Sequence, residues 1–117
     1  LPGVGPSSDS LIPPITPYFV MKVGRVPLIP YHRPGDPAVG ARVAATIAQH
    51  HEQGRRLHAV MLQRLGPNVW HETPAAAMAT LEELEETARL WLMSRQQASS
   101  LTEEELDELR EVFAARW

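Results

Sequence analysis

The sequence has no cysteine among its 117 residues. That excludes disulfides, thiolate metal sites and a cysteine nucleophile together. Lys22 is the only lysine, and the ten arginines are strewn from Arg25 to Arg116 without forming a stripe. With a net charge of −3, the chain lacks the basic patch that nucleic-acid binding requires. No apolar run approaches the roughly 18 residues that cross a bilayer, and no basic-then-apolar leader is present. The expectation is a protein without signal or membrane segment, placed in the cytoplasm. Aromatic residues are only 6%, and Trp70, Trp91 and Trp117 suit core or interface anchors better than base-stacking platforms.

What is present fits one domain with a modest core: 44% of the residues are hydrophobic. The chain opens at Leu1 rather than at a methionine, which suggests a processed, trimmed or partial product. Residues 1–17 carry Pro2, Pro6, Pro13, Pro14 and Pro17 among glycine and serine, and read as an extended lead-in. Tyr18–Val23 and Val26–Tyr31 are rich in β-formers and flank Gly24-Arg25, the pattern of a hairpin with a type II′ turn. Pro27 and Pro30 confine the second strand to an edge or a bulge.

Asp36-Pro37 is a cap followed by proline at the first helical position. It opens a helix to about His51 or Glu52, with Val39, Val43, Ala44 and Ile47 on one face and Gly54 as terminator. Leu57–Leu62 reads as a strand containing His58, broken by Gly66-Pro67. Residues 68–71 form a further short strand ending at His71. Thr73-Pro74 starts the longest helix, reaching about Gln97, with Leu81, Leu84, Ala88 and Trp91 as its buried stripe. Thr102 and Glu105 make a capping box for a last helix whose apolar face is Leu106, Leu109, Val112 and Phe113. The order β-β-α-β-β-α-α predicts an α/β fold whose first sheet contacts are antiparallel.

Pro17–Gly24, with Tyr18-Phe19-Val20-Met21-Lys22-Val23 between, and the following Val26–Asp36 resemble the class II aldolase/adducin family. More narrowly they resemble its branch of 3-oxo-tetronate 4-phosphate decarboxylases. Glu82–Ala88 is similar to that family's long helix. The resemblance covers roughly residues 12–117 and implies that 18–117 are the C-terminal portion of a class II aldolase-like domain. That domain is an α/β/α sandwich around a mainly antiparallel central sheet, assembled as a homo-oligomer with sites between subunits. The implied chemistry is carbon–carbon lysis of a phosphorylated sugar acid, with zinc or another divalent metal held by three histidines. Two of those histidines, an acidic residue and the phosphate-binding loop belong to a half that has no counterpart here. The third belongs to an Asn-His-Gly-Pro segment, which here reads Arg64-Leu65-Gly66-Pro67. Leu65 occupies the histidine's position, and a leucine has no lone pair to give a metal.

The expectation is therefore a truncated member, inactive alone, binding no metal and carrying no catalytic residue. The alternative is a noncatalytic, adducin-like assembly domain. His50 and His51 are adjacent on a helix, about 100° apart around its axis, and cannot readily grip one ion. His58 and His71 lie on separate strands and can meet, but no acidic partner is spaced with them. Arg33, between a strand and a helix start, is the candidate contact for a phosphate or carboxylate, against a plainer role pairing with Asp36. The run Glu82–Glu86 reads as a solvated face, with Glu85 and Arg89 as an i,i+4 pair.

Overall fold

The computed structural model describes residues 9–117; positions 1–8 of the proline-rich lead-in lie outside the described residues. Phe19–Val23 form a single π-helical turn, closed by the Gly24 N–H donating to the Phe19 carbonyl at 2.9 Å. Three short strands follow in one sheet: β1 (Leu28–Ile29), β2 (Ala59–Leu62) and β3 (Gly66–Val69). The helices are α1 (Ala38–Glu52), α2 (Pro74–Met93) and α3 (Glu103–Phe113).

The expected hairpin over residues 18–31 does not form. Phe19, Val20 and Val23 are all buried. In a strand, Phe19 and Val20 would point to opposite faces, whereas a helical turn carries positions i, i+1 and i+4 on one side. Packing therefore overrides the β-propensity of this segment. Gly24 allows the exit, at φ +80. Only Leu28–Ile29 remain as a strand, at the sheet edge, where the flanking prolines cost nothing.

The sheet is mixed, not mainly antiparallel: β1 pairs with β2 in parallel and β2 with β3 antiparallel. The β2–β3 pair is a hairpin that takes in Gly66 and Pro67, residues expected to break the strand. Pro67 is tolerated because β3 is the other edge.

Two of the three helix starts follow the sequence, and α1 begins one residue later than read, at Ala38 with Pro37 as its N-cap in place of Asp36. The Asp36 carboxylate accepts the Ala38 N–H at 2.9 Å, and the Thr73 hydroxyl accepts the Ala76 N–H at 3.0 Å. Thr102 and Glu105 complete both bonds of a capping box. On α2, Leu84 and Trp91 are buried and Leu81 and Ala88 half-buried. The buried Thr80 and Thr87 satisfy their hydroxyls on the carbonyls of Ala76 and Glu83 one turn back. The helix stops at Met93, short of Gln97, because Arg95 and Gln96 turn left-handed (φ 57 and 59). That reversal lets the Leu101 N–H reach the Pro14 carbonyl at 2.9 Å.

α1 is covered less than expected. Val39, Val43 and Ile47 are half-buried, Ala44 is exposed, and His50 is the helix's buried residue. On α3, Leu106 and Leu109 enter the core, but Val112 and Phe113 are exposed, Phe113 at 58%. The helix ends at Phe113 with Ala114 left-handed, and Ala115 and Trp117 take the core positions instead. Ser10, Ile12, Pro13 and Pro14 from the lead-in are buried too, with the Leu11 N–H bonded to the Val26 carbonyl. The core is thus Ile12, Phe19, Val20, Val23, Ala59, Leu84, Leu106 and Trp117, with Phe19 edge-on to Trp117 at 5.9 Å between centroids.

Candidate functional site

β1 and β2 run in the same direction, so their C-terminal ends bring two loops together. The Gln63 N–H donates to the Ile29 carbonyl at 3.0 Å, and the Gln63 side-chain oxygen accepts the Tyr31 N–H at 2.9 Å. The loop that carries Arg33 is thereby tied to the turn that carries Leu65. The turn is tight: Arg64 has φ 66, and the Leu65 N–H closes onto the Leu62 carbonyl at 3.0 Å. The Leu65 side chain is 47% exposed.

Arg33 is exposed, and no ion pair to it forms among the described residues. Asp36 does not pair with it, because its carboxylate is engaged at the start of α1. His32 places Nδ1 2.8 Å from the Pro30 carbonyl. On α2, Arg89 pairs with Glu86 at 2.6 Å, one residue closer in sequence than the expected Glu85.

The opposite end of β2 brings His58 and His71 together. Trp70 fastens this end: its backbone N–H donates to the His58 carbonyl and its indole N–H to the Leu57 carbonyl, both at 2.9 Å. The two imidazoles stack with centroids 4.4 Å apart and planes 9° apart. His71 Nδ1 accepts the Glu72 N–H at 2.9 Å, which puts the neutral ring's proton on Nε2. His58 Nδ1 is buried without a partner. Burial holds the His58 pKa below the ordinary histidine value, and His71 lowers it further. His50 is also depressed, by burial first and then by Arg55, whose Nη1 lies 3.5 Å from His50 Nδ1. The buried state of His50 was not legible in the sequence, which gave only its place on a helix. His51 is exposed.

With this frame in place, likeness to known proteins decides the family. A family model described as Class II Aldolase and Adducin N-terminal domain matches residues 6–92. The chain belongs to that family. Among class II aldolase relatives, it is 51% identical over 114 residues to the 3-oxo-tetronate 4-phosphate decarboxylase of Cupriavidus necator, covering 93% of this chain and 49% of the relative. It is 39% identical over 107 residues to the protein of that name from Escherichia coli K12, covering 91% and 47%. The crystal structure of YgbL from Klebsiella pneumoniae superposes with a TM-score of 0.73 at 40% identity, over 91% of this chain and 48% of that one. YgbL from Escherichia coli gives 0.72 at 39%. The class II aldolase-like fold is thus established, and the chain spans about half the length of the relatives it matches.

Class II aldolases generally depend on a divalent metal, and the described residues do not fit one. No three histidine or acidic side chains come together among them. The imidazole pair that comes together among the described residues, His58 and His71, is stacked face to face. A ring nitrogen's lone pair lies in the ring plane, so two near-parallel planes cannot both aim at one ion at about 2.0–2.1 Å. Glu72 beside them faces Arg56 at 3.6 Å.

Proposed function

We propose that this chain corresponds to the C-terminal half of a decarboxylase or aldolase acting on a phosphorylated sugar acid, and that it does not turn over alone. Its similarity to 3-oxo-tetronate 4-phosphate decarboxylases supports the substrate class. Leu65, at the position of the family's third metal histidine, carries the claim of inactivity. Breaking the carbon–carbon bond of a 3-oxo acid leaves negative charge on the carbonyl oxygen, and rate acceleration needs a fixed positive charge there. A leucine side chain supplies none. Arg33, across the Gln63–Tyr31 bond from Leu65, is the group that would contact the phosphate or carboxylate of the substrate. The test is carbon dioxide release from a phosphorylated 3-oxo-tetronate by the purified chain with added zinc. The expected result is the uncatalysed rate, and turnover proportional to protein concentration refutes the inactivity.

A second reading, an adducin-like assembly domain, is favoured by one observation. Leu92 and Met93 at the end of α2, and Val112 and Phe113 at the end of α3, expose apolar side chains. Light scattering decides it: a homo-oligomer at micromolar concentration supports assembly and a monomer contradicts it.

A further inference from the structure

The two loops at the C-terminal ends of β1 and β2 leave unexplained a groove at the other end of β2. Its volume is about 590 Å³, within the roughly 300–1,000 Å³ of small-molecule sites. Val20 and Val23 of the π turn form an apolar wall, and Arg55, Arg56, Arg116 and His58 supply the polar groups. Among the described residues no carboxylate lines it. In a chain of net charge −3, three guanidiniums gathered from positions 55, 56 and 116 stand out as a local reversal of sign. Gly54, at φ +78, ends α1 so that Arg55 and Arg56 leave toward the groove.

We propose that this groove binds a small phosphate-bearing anion, held by Arg55, Arg56 and Arg116 over His58. Among the described residues neither Arg55 nor Arg116 has a carboxylate partner. Arg56 has only Glu72, at 3.6 Å between two exposed side chains, a loose pair that an anion can displace. Planar guanidinium forks suit the paired oxygens of a phosphate monoester. The His58 ring lines the groove, while its Nδ1 is shut off from solvent and takes no part in holding the anion. Besides Glu72, the C-terminus of α1 opposes the anion, with roughly half a negative elementary charge against three full positive ones. Its last carbonyls are already engaged, His50 with the Gln53 and Arg55 N–H groups and His51 with Gly54. The inference does not rest on the decarboxylase reading, since Arg33 and Leu65 lie past the other end of β2.

Inorganic phosphate is the probe, titrated into the intact chain at constant ionic strength with chloride as the balancing salt. The readout is the NMR signals of the arginine Nε–H groups and the His58 ring. The expected result is saturable one-to-one binding that chloride does not reproduce, with the His58 titration moving to higher pH as phosphate binds. His71, Arg56 and Glu72 act on that ring, His51, Arg55 and Arg116 line the groove with it, and Lys22, Glu82, Glu83 and Glu86 line a second pocket with it; none of them explains a phosphate-dependent shift. Arg55→Ala/Arg56→Ala weakens binding at least tenfold, and Arg33→Ala leaves it unchanged. If the double variant does not fold, Arg116→Ala, an exposed position between the buried Ala115 and Trp117, must weaken binding severalfold. Phosphate shifts that chloride matches overturn the proposal. So does wild-type binding by the folded arginine variants, or loss of binding in Arg33→Ala.

Discussion

Replacing Phe19 by alanine tests the π turn that forms the groove's apolar wall. Phe19 is 0% exposed, sits edge-on to Trp117 and shares the core with Leu84 and Leu106. Truncating such a ring removes its transfer free energy and leaves a cavity, together about 3–5 kcal/mol. A domain of this size has about 5–15 kcal/mol of stability in all, so the variant loses a large share of it. The control is Phe113→Ala. That side chain is 58% exposed, and its loss costs less than about 0.5 kcal/mol. Urea unfolding followed by circular dichroism and tryptophan fluorescence measures both. The midpoint of Phe19→Ala falls sharply at an unchanged slope, and that of Phe113→Ala stays near wild type. A Phe19→Ala loss below about 1 kcal/mol, or a larger loss from Phe113→Ala, refutes the reasoning, because it would return this segment and the α3 face to the arrangement read from sequence pattern alone.

Stability also falls as the pH drops. His50 and His58 are held below the ordinary value of about 6.5, so below that pH the unfolded chain binds protons that the folded one does not. Each contributes at most about 1.4 kcal/mol per pH unit, and urea midpoints at pH 7.5 and 5.5 should show a shallower slope in His58→Gln. Thr102→Ala removes one of the two capping-box bonds and should cost about 1 kcal/mol, with Thr102→Ser close to wild type in the same assay. Leu65→His restores one metal-ligand type but no second or third, so zinc titration followed by calorimetry should still show no tight site in this chain.

The helix starts were legible because caps are local. Asp36-Pro37, Thr73-Pro74 and Thr102 with Glu105 state their own hydrogen bonds in the sequence, and each bond is present. The meeting of His58 with His71 was legible as a possibility, because the two strands that they flank, β2 and β3, are joined by a short turn. Phe19–Val23 was misread because β-propensity is a weak guide where three side chains must reach one core. Val112 and Phe113 continue the α3 stripe in sequence, but the left-handed Ala114 turns Ala115 and Trp117 into the space they would fill. Arg55, Arg56 and Arg116 look scattered along the chain, and only the tertiary fold puts them around one groove. The reading of Leu65 as a missing metal donor rests on Arg64-Leu65-Gly66-Pro67 alone, and the structure adds only the tight turn that carries it.

Zinc stoichiometry probes that missing donor most directly. The purified chain is dialysed against a modest excess of zinc, freed of loose ions, and its metal counted by elemental mass spectrometry. On the proposal that Leu65 stands where the family has its third metal histidine, and with the close pair of described histidines stacked instead of converging, the chain should retain far less than one zinc per molecule. One tightly held zinc per chain would contradict the account.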